Sequence, residues 1–119
     1  MTTVITDDRK AALVVGYIAT DWTQKTSYAD YKALIYGWTV RSLVRDGVCI
    51  GAVYSKDGEV HVSVVKEMRG KWATRGLLKQ IFTAENYKTR VTKGHEFMHG
   101  ILKRMGMVAD ANGYFQRVA

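Results

Sequence analysis

Two tight-turn signals constrain this chain more than anything else in it. Asp46-Gly47 and Lys56-Asp57-Gly58 punctuate three runs rich in β-branched residues, Thr39–Arg45, Val48–Ser55 and Glu59–Val65. Such turns need residues that tolerate a left-handed backbone, and they join antiparallel neighbours. The three runs are therefore expected to be consecutive strands of one sheet. The alternation is sharpest in the last of them. Val60, Val62 and Val64 point one way, and Glu59, His61 and Ser63 the other.

The flanking segments change period. Residues 1–6 read as a short strand. Residues 8–22 place Ala11, Val15, Ile18 and Trp22 at helical spacing, although the local run Val14, Val15, Tyr17 and Ile18 suits a strand as well. A second helix opens at Ser27, a natural cap with Asp30 three residues on, and Tyr31, Leu34, Ile35 and Trp38 form its apolar face. Past the strands, Leu77, Leu78, Ile81 and Phe82 mark a helix over 72–84, and Tyr87–Thr92 reads as a strand. Phe97, Met98, Ile101, Leu102 and Met105 mark a further helix ended by Gly106. Met107–Ala109 and Tyr114–Val118 make a final hairpin around Asp110–Gly113. The expected fold class is α/β of the mixed-sheet, α+β kind, in the order β-α-α-β-β-β-α-β-α-β-β, forming a single domain over 1–119.

At 119 residues and 47% hydrophobic content the chain has enough apolar surface for one core. Its longest apolar stretch, Ala11 to Ala19, contains Gly16 and Tyr17 and is too short to span a bilayer. Met1 to Arg9 lacks the basic and apolar regions of a signal peptide. The lone Cys49 excludes an internal disulfide and leaves no cysteine pair for a metal, so it is expected to be a small buried hydrophobe. These features lead to the expectation of a cytoplasmic, intracellular protein with no membrane partner and no metal. The net charge of +7 sits in one segment. Residues 66–104 carry ten Lys and Arg against three Glu, whereas the rest of the chain balances eight against eight. That asymmetry points either to an anionic partner or to a solvated basic face.

The stretch with chemical content runs from Val62 to Lys79. A strand feeds through a short basic turn into a helix, whose first amides and partial positive charge can receive phosphate. Arg69, Lys71 and Arg75 add charge around it. With its apolar strand, Glu67, Arg69-Gly70-Lys71 and the Leu77-Leu78 pair, this stretch resembles motif A of the GNAT (acyl-CoA N-acyltransferase) superfamily. Residues 97–107, ending Met105-Gly106-Met107, are similar to its motif B. Small compact proteins of this kind also resemble some phage-encoded GNAT-like virion components.

The resemblance implies a GNAT-like fold, an acetyl-CoA or CoA ligand and an amine acceptor. In such a site the backbone of Val64 and Val65 would pair with the pantetheine arm. Arg69, Gly70, Lys71, Trp72, Ala73, Thr74 and Arg75 would surround the pyrophosphate, with His95 near the start of the motif B helix. Glu59 and His61 would be the available bases, histidine being the side chain suited to take a proton near neutrality. The chain departs from the motif at several positions. Trp72 and Thr74 stand where the family has loop glycines, Lys66 and Met68 replace its Pro and aromatic residue, and Leu102 stands where a Tyr often acts as general acid.

Other residues have competing readings. His95 and His99 have the spacing of two metal ligands but no evident third, which favours a surface or capping role. Trp22, Trp38, Tyr28, Tyr31 and Tyr36 could stack on bases but at helical spacing read rather as core and groove wall. Three functions stay open from the sequence: an acyl-CoA-dependent N-acyltransferase, a catalytically degenerate protein of the same fold acting as a structural or binding component, and a basic nucleic-acid-binding domain. The acceptor grip is expected at Asp21–Thr26 and Asp110–Gly113.

Overall fold

The computed structural model describes residues 3–20, 22, 24–83, 85–91 and 97–117. They form a compact mixed α+β structure of seven strands and four helices. In chain order these are β1 (Thr3–Thr6), α1 (Arg9–Ala19), α2 (Tyr28–Leu34), β2 (Thr39–Arg45), β3 (Val48–Lys56), β4 (Glu59–Val64), α3 (Arg75–Ile81), β5 (Lys88–Arg90), α4 (Phe97–Arg104), β6 (Met107–Ala109) and β7 (Tyr114–Arg117). A single 3₁₀ turn, Lys66–Met68, follows β4. The strands lie in the order β1-β2-β3-β4-β5-β7-β6, and every neighbouring pair is antiparallel except β4 and β5.

Local chemistry places the ends of these elements. The two hairpin turns put Asp46 (φ 54°) and Asp57 (φ 50°) in the left-handed region, each followed by a glycine that also adopts it. Side chains of Asp8, Ser27 and Thr74 accept from the third backbone amide beyond them and so start α1, α2 and α3. Asp110 accepts from the amides of Asn112 and Tyr114 and from the Gln116 side chain, closing the β6–β7 turn. These bonds hold its carboxyl below the usual carboxylate range.

The pleat sorts the core onto two faces. Val53, Val60 and Val64 meet Leu77, Leu78, Ile81 and Phe82 around α3, together with Leu102 of α4 and Phe115 of β7. On the opposite face Ala52 and Tyr54 meet Ala12 of α1 and Tyr31 of α2. The buried stripe of α1 is Ala12, Gly16 and Ala19, one position on from the expected Ala11, Val15 and Ile18, and Ile18 is 70% exposed. Small side chains win that face because α1 lies close on the sheet. A Cβ on Gly16 would stand 2.2 Å from the Tyr54 hydroxyl. Two helices are shorter than their periodicity suggests. α2 stops at Leu34, leaving that residue exposed, and α3 begins at Arg75, because residues 66–73 form the 3₁₀ turn and the loop after it.

Candidate functional site

The parallel pair β4–β5 is closed at one end only. Its register consists of Glu59 opposite Lys88. Beyond that point the Thr89 hydroxyl donates to the Val60 carbonyl, so a side chain takes the place of the next ladder bond. The amide of Val65 donates to the Ile50 carbonyl at 2.9 Å. By pleat alternation the backbone of Val62 and Val64 therefore turns the other way, toward β5. The result is a cleft of about 70 Å3 between the strands, walled by Val62, Val64, Trp72, Phe82, Val91, Met98 and Leu102, with Arg69 and Arg90 at its polar edge.

The turn after β4 is drawn inward. The amides of Met68, Arg69 and Lys71 bond to the carbonyls of Val65, Lys66 and Met68. The guanidinium of Arg69 donates to the Val64 carbonyl (3.1 Å) and to the Ala19 carbonyl at the end of α1 (2.8 Å). Gly70 sits at the apex with φ +82° and open space around it. Lys71 is exposed, and its carbonyl accepts from Arg45. Trp72, at 3% exposure, turns its indole into the core and forms part of the cleft wall. Thr74 caps α3. Ala73 and Arg75 line a groove between α3 and α4 together with Leu78, Ile101, Arg104 and Met105, with a volume of about 280 Å3. A neighbouring hollow of about 80 Å3 adds Lys79 and shares Phe82 with the cleft. Among the described residues no carboxylate lines either hollow, so the groove is an anion-receptive surface.

Glu59 and His61 lie on the other face of β4. The Nε2 of His61 is 2.6 Å from Oε2 of Glu59, and its ring lies 5.8 Å from that of Trp38. With Nε2–H donating to the carboxylate, Nδ1 is the nitrogen left to accept a proton. This pair borders a third hollow, about 210 Å3, lined by Thr20, Trp22, Tyr31, Leu34, Ile35, Trp38, Tyr54, His61 and Ser63. Beneath it the Tyr31 and Tyr54 hydroxyls are 2.6 Å apart, and Ser63 is 3.2 Å from Thr20. Burial raises both phenols above the ordinary tyrosine value.

Compared with known protein families, with curated proteins and with solved structures, the chain gives no match.

The structure thus divides the residues singled out in the sequence. Val64, Arg69 and Trp72 gather at the β4–β5 cleft, Ala73 and Arg75 at the basic groove, and Glu59 and His61 at the aromatic pocket across the sheet. Val65 directs its amide to β3. His95, Asp21 and Thr23 lie outside the described residues. Among the described residues no group of three His, Cys, Asp or Glu could hold a metal, and no helix is long and apolar enough to cross a membrane. His99 packs against Phe115 at 5.2 Å. Tyr36 is 85% exposed and outside the aromatic cluster. Sequence reasoning missed Arg104 beside Arg75 in the groove, and it missed that Thr20, Ser63, Tyr54 and Tyr31 line one hollow. The first could have been found from the charge at the end of the motif B-like helix. The second depends on how the end of α1, α2, β3 and β4 face one another, for which the sequence carries no signal.

Proposed function

We propose that this chain is an acyl-CoA-dependent N-acyltransferase of GNAT type. The reading is carried by the parallel β4–β5 pair, which is joined at Glu59 and Lys88 and parts toward Val64, and by the basic groove between α3 and α4. An apolar slot and a separate anion-receptive groove suit a ligand with an apolar arm and a polyphosphate tail. The strand order and the GNAT-like motifs in the sequence support the same reading.

The outer groove fits the phosphates, with Arg75, Lys79 and Arg104 to hold them. The inner cleft is tighter. At about 70 Å3 it equals roughly two waters' share of liquid volume, so an arm enters only when the Trp72 indole yields. The bound thioester would supply the acyl group. The chain supplies Val62 and Val64 backbone along the arm, and it supplies His61, held by Glu59, to take the proton an attacking amine gives up.

Calorimetry of the full chain with acetyl-CoA tests this. Saturable binding is expected, weakened about tenfold or more in an Arg75→Glu/Arg104→Glu variant. No heat at millimolar ligand overturns it. A second reading, a binding protein of the same fold without turnover, is favoured by the burial of Trp72 and by Leu102 in the cleft wall where a proton donor would be useful. Acetyl-CoA binding without thiol release across a panel of amines selects that reading.

A further inference from the structure

Helices α3 and α4 carry between them Arg75, Lys79, Lys103 and Arg104, and no Asp or Glu. All four cations are exposed, as is Lys71 in the loop that leads to α3. A folded surface ordinarily mixes the two signs, and a face of one sign gathers the opposite ion. Here the cations also converge. Arg75 and Arg104 line both hollows between the helices, Lys79 lines one of them, and among the described residues no carboxylate lines either. Arg75 and Lys79 stand about one turn apart on α3, roughly 6 Å along its axis. The floor beneath them is apolar and recessed. Leu78, Phe82 and Met107 are buried, and Ile101 and Met105 are half-buried.

We propose that this face binds the phosphate backbone of double-stranded nucleic acid, without regard to sequence. A duplex presents a dense row of phosphates, and Lys and Arg that neutralise them release its condensed counterions. The groove meets that row with Arg75, Lys79 and Arg104. Lys71 precedes the groove-lining Ala73 by two residues, and Lys103 adjoins Arg104 in the chain. Contacts to phosphate position a duplex and read no base. Single strands are held by exposed rings on which bases stack, and membrane surfaces by apolar side chains that enter the lipid. Among the described residues α3 and α4 expose neither, for no large apolar or aromatic side chain of these helices stands in solvent. The proposal does not rest on the acyltransferase reading, although the two share Arg75, Lys79 and Arg104.

The test is fluorescence anisotropy of a labelled DNA duplex of about 20 base pairs, titrated with the full chain between about 50 and 200 mM salt. The logarithm of the affinity is expected to fall linearly with the logarithm of the salt concentration, with a slope of about −3 to −4, and alike for two unrelated sequences. Lys79→Gln/Arg104→Gln is expected to flatten the slope by about two and to weaken binding about tenfold or more at about 100 mM salt. Lys10→Gln/Lys25→Gln removes the same charge from exposed positions on and after α1, on the other face of the sheet, and is expected to do neither. Far-UV circular dichroism checks that each variant is folded. The proposal is overturned by no binding at about 50 mM salt, or by equal losses in the two variants. Tighter binding of the single strand, of poly-L-glutamate or of phosphatidylserine vesicles overturns it as well. Acetyl-CoA is titrated calorimetrically into the parent chain without nucleic acid. Its failure to bind counts against the acyltransferase reading and leaves the duplex result standing on its own.

Discussion

The guanidinium of Arg69 spans two elements, donating Nη2 to the carbonyl of Ala19 at 2.8 Å and Nε to the carbonyl of Val64 at 3.1 Å. Fifty residues of chain separate Arg69 from Ala19. The side chain that most resembles a phosphate ligand in the sequence thus satisfies the C-terminal end of α1 and the open edge of β4. Charged hydrogen bonds of this kind are worth roughly 1.5–3 kcal/mol each, before solvent screening of a half-buried group. Arg69→Ala is expected to lower the unfolding free energy by about 2 kcal/mol in urea titration. Arg69→Lys is expected to recover less than half of it, since one ammonium does not reproduce the fork.

Gly16 lies inside α1, where alanine would ordinarily be favoured by about 1 kcal/mol. Here an added Cβ would stand 2.2 Å from the Tyr54 hydroxyl and 2.8 Å from that of Tyr31. Both hydroxyls end rigid buried rings. Gly16→Ala is therefore expected to destabilise by about 1–2 kcal/mol net, against the helix trend. Combining it with Tyr54→Phe, which removes the oxygen in the way, is expected to restore part of the loss. Chemical denaturation of the four proteins checks the coupling.

Trp72 packs with Leu102 and Phe82 at the cleft. Trp72→Ala is expected to cost about 3–5 kcal/mol, and Trp72→Leu less. If acyl-CoA enters between β4 and β5, the Leu variant binds acetyl-CoA more tightly than the parent protein, because the indole no longer has to leave. Calorimetry on the Leu variant, with its fold checked by far-UV circular dichroism, reads this out. Unchanged or weaker binding would place the ligand elsewhere.

Tyr31 and Tyr54 are buried as neutral phenols that share a hydrogen bond, and burial is the largest cause of their raised pKa values. The unfolded chain releases these protons near the ordinary tyrosine value of 10.0, whereas the folded chain holds them. Their contribution to stability is therefore fully present below pH 10.0 and is lost as the pH climbs above it. Urea midpoints measured from pH 8 upward are expected to fall beyond about pH 10, and Tyr31→Phe is expected to fall less steeply.

Glu59 orients His61 through the 2.6 Å contact. Should acetyl transfer be measured, Glu59→Gln is expected to lower kcat by about tenfold to a hundredfold while leaving KM for acetyl-CoA unchanged. Gln can still accept from Nε2–H but carries no charge to balance the proton passed from the amine. A loss confined to KM for acetyl-CoA would remove Glu59 from the proton path.

How much was legible in the sequence follows the range of the forces involved. The hairpins at Asp46-Gly47 and Asp57-Gly58 were legible because turn conformation depends on two or three adjacent residues. The inward face of β4 was legible because a strand alternates with period two. The caps Ser27 and Gly106 and the helix around Leu77, Leu78 and Ile81 are local in the same sense. Other features depended on what lies opposite. Only the packed sheet selected Ala12, Gly16 and Ala19 over Ala11 and the larger Val15 and Ile18, because closeness of approach outweighed hydrophobicity there. The sequence itself therefore determined where elements begin, end and turn, since those are decided by neighbours in the chain. The tertiary structure decided that Trp72 faces the core, that Arg69 donates to two carbonyls, and that Thr20, Ser63, Tyr54 and Tyr31 line one hollow. Those arrangements arise where side chains from distant elements compete for the same buried space and the same hydrogen-bond partners.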